Sequence, residues 1–242
     1  MSPVMSARFG RTIVATVQLA LLSAALCFTS AHAATPAPPT SFVRTIYLIR
    51  HGSYVPDPRA NPGTGPALTT LGIAQARLVA ARMRGMPVHF DSIVSSTMTR
   101  AVQTAAELKP MFPDVAKSAT PLLVECTPPV LGELKGESPA QQAACKNRLD
   151  EAFTKFFTPA TGADKNDMLV CHGNVIRYFV TKALGVDTRA WLGMTVAHTS
   201  ITIIQVRADG SFKVSAVGDA GHVPPNMLSW GTDADPQLVS AQ

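Results

Sequence analysis

Apolar positions along the chain fall into short unbroken runs and longer spaced series, and the two kinds alternate. The first run, Ile46–Ile49, is β-branched, aromatic or otherwise strongly apolar and stops abruptly at Arg50, His51 and Gly52. Such a run between polar residues predicts a strand buried on both faces. Ser53–Ala67 carries four prolines and two glycines, which predicts a loop at the mouth of whatever the strand end forms. A helix is predicted from Thr69 or Thr70 to about Arg84, with Leu71, Ala74, Leu78 and Ala81 on one face and Gly85-Met86-Pro87 as its stop. Ser92–Ser95 reads as a second strand, and Ser96 or Thr97 starts a helix that Pro110 ends.

The alternation continues. Ala119–Val124 is a predicted third strand with Glu125 at its end. Ser138-Pro139-Ala140-Gln141 has the form of a capping box with proline at the first helical position. The helix it opens carries Leu149, Ala152, Phe153, Phe156 and Phe157 as its core face. Met168–Cys171 is a fourth strand that delivers His172 and Gly173 into a helix ending at Leu184-Gly185. Ser200–Arg207 and Phe212–Val217 alternate around Asp209-Gly210, a hairpin signal. The order predicts an α/β fold: a mostly parallel central sheet, helices on both faces, and a C-terminal antiparallel hairpin.

Composition adds domain limits. With 242 residues, 46% hydrophobic and 15% charged, the chain can bury one sizeable core. Residues 1–33 pair Arg8 and Arg11 with an apolar stretch and Ala31-His32-Ala33, which predicts a secretory signal peptide and an exported, periplasmic or secreted protein. Residues 34–41 read as a Pro-rich linker, 42–230 as one folded domain and 231–242 as a disordered tail. Arg8 and Arg11 supply two of the five net positive charges, and no basic run remains, so nucleic acid is not an expected partner. No membrane association is expected once the signal is cleaved, and the oligomeric state is left open. Cys126 and Cys145 could pair, whereas Cys171 ends an apolar run and reads as a core thiol.

Four strand ends deliver charged or titratable groups: Arg50 with His51, Arg100, Glu125 and His172. In an open parallel sheet these ends share an edge, so the groups can converge. Two guanidinium groups suit a phosphoryl group, because each forks onto two oxygens and stays charged at any working pH. A neutral histidine can act as nucleophile, and a carboxylic acid of raised pKa can protonate the leaving alcohol. Arg100 in a helix's first turn opposes the helix dipole, and a bound anion reconciles the two. His89, His198 and His222 lack metal-ligand spacing and read as solvated or structural, and Arg177 as a surface or sheet-edge cation.

The segments LIRHG (48–52), SSTMTRAVQTA (95–105) and CHGNVIRYFV (171–180) resemble the histidine phosphatase superfamily, in its phosphoglycerate-mutase-like branch. Within that branch they resemble a mitochondrial serine/threonine phosphatase member. The similarity extends through LTTLGIAQA (68–76), SIT (200–202) and GDAGHVPP (218–225). The resemblance implies that His51 is transiently phosphorylated while Arg50, Arg100 and His172 hold the phosphate. Glu125 matches the acidic position, with Glu133 as rival. Implied too is a phosphatase needing neither metal nor cofactor and acting on a phosphorylated small molecule or phosphoprotein. A mutase that passes phosphate between hydroxyls and a non-catalytic phospho-ligand binder are the competing readings.

Overall fold

A computed structural model describes residues 41–134 and 136–230. The signal, most of the linker and the tail expected from the sequence lie outside the described residues. Six strands form one sheet in the order β3-β2-β4-β1-β5-β6. They are β1 (Arg44–Arg50), β2 (Ser92–Ser96), β3 (Ala116–Thr120), β4 (Lys165–Cys171), β5 (Ile201–Val206) and β6 (Phe212–Asp219). β1, β2, β3 and β4 are mutually parallel, while β5 runs antiparallel to both β1 and β6. This is the expected α/β architecture, and its hairpin closes one side of the sheet.

Side-chain alternation on β1 divides the core. Ile46 and Leu48 pack with Leu169, Ile204 and residues of α3 (Pro139–Phe156) and α4 (Gly173–Ala183), among them Leu149, Phe153, Ile176 and Phe179. Tyr47 and Ile49 point the other way, onto Val79, Met83, Ala101 and Leu108 of α1 (Thr70–Arg84) and α2 (Thr99–Leu108). A period-2 strand buried on both faces explains why the run lacks polar positions. Ser138 forms the expected capping box with Gln141, and Thr69 caps α1 by accepting from Gly72 N–H.

Three expectations shift. The third strand is Ala116–Thr120 and not Ala119–Val124. It is an edge strand and largely exposed, so it needs no apolar run, and Pro121 has no N–H to extend the ladder. The apolar Leu122 and Leu123 instead form a 3₁₀ turn that buries Leu123. On α1 the buried face is Gly72, Gln75, Ala76, Val79, Ala80 and Met83, and Leu71 is exposed. The rotation follows from a close approach: a Cβ on Gly72 would strike Ser53 backbone, and one on Gly52 would strike Gly72. Two glycines let the loop after β1 lie against the first turn of α1. Finally, α2 begins at Thr99, two or three residues late, because Ser96 still pairs in β2 and its Oγ accepts Met98 N–H.

Cys126 and Cys145 are joined by a disulfide, which ties the segment after Glu125 to α3, and Cys171 is free and buried. Among the described residues no helix is long and apolar enough to cross a membrane. The disulfide closes a loop of 19 residues' separation, for which chain-entropy arguments give roughly 2–4 kcal/mol. Urea unfolding with and without reductant should therefore differ by about that amount, with the Cys126→Ala/Cys145→Ala double variant matching the reduced protein.

Candidate active site

The parallel strands all point their carboxyl ends at one edge, and the sequence puts the polar groups there. β1 ends in Arg50 and leads into His51. β2 ends in Ser96, just before the α2 turn that carries Arg100. β4 ends in Cys171 and leads to His172, which precedes α4. Glu125 follows β3 by five residues, carried in by the 3₁₀ turn and not by the strand itself. All four expected phosphate-handling residues are buried: Arg50, His51, Arg100 and His172. The His51 and His172 rings lie 5.0 Å apart, and Arg100 Nε donates to His51 Nε2 at 3.1 Å.

That last contact fixes the chemistry of His51. Nδ1 sits 2.8 Å from the Gly52 carbonyl, which can only accept, so Nδ1 carries the proton. Nε2 is left with its lone pair, aimed where Arg100 meets it. Burial first, then His172, Arg100 and Arg50, hold the His51 pKa well below 6.5, so the ring stays neutral around neutral pH. The support is layered. Thr104 Oγ1 accepts Gly52 N–H and donates to the Arg100 carbonyl, joining β1's end to α2. Tyr54 stacks on Arg100, 4.6 Å from its guanidinium carbon to the ring centroid.

His172 is oriented in a parallel way. Its Nε2 lies 2.9 Å from Ser96 Oγ, while Nδ1 is buried without a hydrogen-bond partner. Burial, then Arg100 and Arg50, lower its pKa well below 6.5. Arg50 lies against Gly173, and its Nη1 donates to the carbonyls of Val196 and Trp230, each at 2.6 Å. A phosphoryl group reaching Arg50 competes with the Trp230 carbonyl. His51 is only 1% exposed.

Glu125 keeps some exposure as a residue, yet Oε1 is buried without a hydrogen-bond partner. Burial raises its pKa above 4.5 against the pull of Arg100, Arg50 and Arg177. A desolvated carboxyl among cations can hold a proton and release it when charge develops nearby. Glu133 is exposed. Among the described residues no group of three or more His, Cys, Asp and Glu side chains is arranged to hold a metal ion.

Two residues read as peripheral are not. Arg177 is buried, stacked on Trp191 at 4.6 Å and bonded to Asn174. His198 is buried with its ring 5.5 Å from that of His51. Burial, then Arg50 and Arg100, pull its pKa down to about 3. Isolated positions along the chain carry neither signal. For His198 one was available: β5 is antiparallel, so the residues before it sit at the same edge as the ends of β1 and β4. Tyr54, Gln75, Ser96 and Thr104 were missed because their partners are far along the chain.

The histidine phosphatase superfamily (branch 1) matches this chain over residues 46–161 and 128–219. The chain belongs to that superfamily. It is 36% identical over 197 residues to the mitochondrial serine/threonine-protein phosphatase Pgam5 of Caenorhabditis elegans, covering 77% of this chain and 66% of the relative. To the Homo sapiens PGAM5 it is 33% identical over 193 residues, with the same coverage. The chain thus spans just under two thirds of the length of these relatives. Among solved structures, a Plasmodium falciparum phosphoglycerate mutase superposes with a TM-score of 0.55 at 25% identity, covering 76% of this chain and 96% of the mutase. The alpha-ribazole phosphatase of Shigella flexneri does so with 0.56 at 16% identity, covering 72% and 96%.

These relatives correct the expected destination. Export to the periplasm or beyond is overturned, because the similar proteins are named as mitochondrial. The misreading has a physical source. Residues 1–33 combine basic, apolar and small residues with no acidic one, and that chemistry is shared by segments read by different targeting receptors.

Arg100 touches His51 Nε2 directly and would also face a bound phosphate. Arg100→Ala should weaken inorganic phosphate binding about 10- to 100-fold, the range for a lost charge-assisted hydrogen bond. The same change removes one of the influences that lower His51, so its pKa should rise. Calorimetry and imidazole NMR titration check the two effects, and unchanged phosphate affinity would count against the geometry.

Proposed function

We propose that residues 42–230 form a metal-independent phosphatase that hydrolyses phosphomonoesters through a phosphohistidine at His51. The observation that carries this reading is the fixed tautomer of His51, with an unprotonated Nε2 that Arg100 meets. His51 Nε2 attacks phosphorus in line, forming the N–P bond as the P–O bond to the leaving group breaks. Neutral Glu125 gives its proton to the departing oxygen. Water then attacks the phosphohistidine, Glu125 takes a proton from it, and the N–P electron pair returns to Nε2. Arg50, Arg100 and His172 hold the phosphoryl oxygens, whose developing charge the guanidinium groups neutralise. Charge neutralisation is thereby assigned to side chains, and the reading asks for no metal or cofactor.

Phosphoproteins are the substrate class we favour, since the similar relatives are named serine/threonine-protein phosphatases. The mutase reading draws support only from fold-level likeness. A pure binder has no use for a bare imidazole nitrogen turned toward Arg100 at the phosphate site.

His51→Ala should abolish hydrolysis of phosphomonoesters and of phosphoserine or phosphothreonine peptides, and no radiolabelled phosphate should be trapped on that variant. Chelators should leave the wild type unaffected. Loss of activity on chelation, restored by Mg²⁺ or Zn²⁺, contradicts metal independence, and isomerised phosphoglycerate in place of released phosphate favours the mutase.

The pH profile carries a sign of its own. His51 works unprotonated and its pKa is lowered, so the acid limb lies well below 6.5. Glu125 works protonated in the first step and its pKa is raised, so activity falls as pH rises through a value above 4.5. Glu125→Gln should remove that basic limb and cost about 10²–10⁴-fold on alkyl phosphates. The loss should be far smaller on p-nitrophenyl phosphate, whose leaving group needs no proton. Glu133→Gln should behave as wild type, and the reverse pattern would move the acid to Glu133.

A further inference from the structure

Gln75, fully buried in α1, begins a chain of hydrogen bonds that ends on an imidazole with no assigned role. Its Oε1 accepts Ser53 N–H at 2.9 Å, which fixes the amide's orientation. Its Nε2 therefore donates, to the Met227 carbonyl at 2.6 Å and to Ser229 Oγ at 3.0 Å. Ser229 Oγ, already an acceptor, lies 2.8 Å from His198 Nδ1. A hydroxyl has one proton to give, and an acceptor in reach is that nitrogen. With Nδ1 accepting, a neutral His198 carries its own proton on Nε2.

That Nε2 is buried without a hydrogen-bond partner, and a desolvated N–H lacking an acceptor is costly. The backbone is strained to hold it there. Thr199, next in the chain, has φ 57°, a region that β-branched residues avoid. The turn is pinned by Thr199 N–H, which lies 3.1 Å from the Arg50 carbonyl and 3.3 Å from that of His51, and by His198 N–H to the Ser229 carbonyl at 2.8 Å. The His198 ring is 5.5 Å from that of His51 and 6.3 Å from that of Tyr54.

We propose that His198 is a third phosphoryl-binding imidazole, whose Nε2–H donates to a non-bridging oxygen of the group that His51 attacks. Ser229 and Gln75 are positioning residues that fix its proton. The assignment deepens the phosphohistidine reading and rests on it. His172 obeys the same logic: Ser96 Oγ accepts Met98 N–H and gives its proton to His172 Nε2, leaving Nδ1–H as a buried donor. The site then presents one lone pair, on His51, and two neutral N–H donors, on His172 and His198. Neutral donors add hydrogen bonds to the phosphate without repelling Arg50 or Arg100.

Nitrogen-15 NMR of the imidazoles, with inorganic phosphate and vanadate as ligands, tests this on the full chain. His198 should show the Nε2-protonated tautomer, and phosphate should shift that N–H. His198→Phe keeps a ring and loses the donor, so phosphate and vanadate affinity should fall about 10- to 100-fold. His198→Asn, which restores a donor, should recover part of the loss. Ser229→Ala should mix the two His198 tautomers and weaken both anions by a smaller factor. A wild-type His198 protonated at Nδ1, or a folded His198→Phe binding both anions within about two-fold of wild type, overturns the proposal. Should His198→Phe not fold, the tautomer and the Ser229→Ala response decide. If anion binding follows these expectations while no phosphomonoester is hydrolysed, the phosphatase reading fails and the His198 assignment stands.

Discussion

One imidazole, with its proton committed to the Gly52 carbonyl and its lone pair facing Arg100, sets the requirements that the surrounding structure meets. A histidine in solution exchanges tautomers freely and is half protonated near pH 6.5. Neither state suits a nucleophile. Burial and neighbouring cations keep His51 neutral, and the adjacent backbone oxygen decides which nitrogen is bare. Both effects need His51 to be rigid, and rigidity comes from β1 being a central strand with partners on either side.

The same economy governs the other groups. Gln75 and Thr104 each accept a hydrogen bond on one side and direct one on the other, and Ser96 and Ser229 each accept one while lying against an imidazole nitrogen. Buried polar groups are tolerable when every member of such a chain is satisfied. Among the described residues the unsatisfied atoms include Glu125 Oε1, His172 Nδ1 and His198 Nε2 at the strand-end edge, and also Arg148 Nε, Ser200 Oγ and both ring nitrogens of His222. The three at this edge mark where a ligand would supply what the protein withholds. The cover over this edge, through Trp230 on Arg50 and Ser229 on His198, gives the chain's last described residues a part in the site.

Legibility from the sequence differed by element. β1, α1, α3, α4 and the hairpin could be read because their signals are local: an apolar run, a capping threonine, a capping box, a strand delivering glycine to a helix, an alternating pair around Asp209-Gly210. The third strand was displaced because an exposed edge strand needs no apolar pattern, whereas Leu122 and Leu123 supplied one from a turn. The face of α1 was misjudged because the close approach of Gly52 and Gly72, not the spacing of leucines, sets the helix's rotation. The destination of the chain was misread because hydrophobicity and charge alone do not say which receptor reads them.

By itself the sequence determined the alternation of strands and helices, the edge to which Arg50, His51, Arg100 and His172 would be delivered, and the family. The first two depend on spacing along the chain, which the sequence contains in full, and the family on the resemblance of the motifs at 48–52, 95–105 and 171–180. Only the tertiary structure decided which nitrogen of His51 is bare, that Glu125 and not Glu133 is the buried carboxyl, that Cys126 meets Cys145, and that His198 joins the site. Those facts depend on groups brought together from distant positions, and whether a titratable side chain is neutral, paired or reactive is set by the low-dielectric surroundings it meets only after the chain has folded.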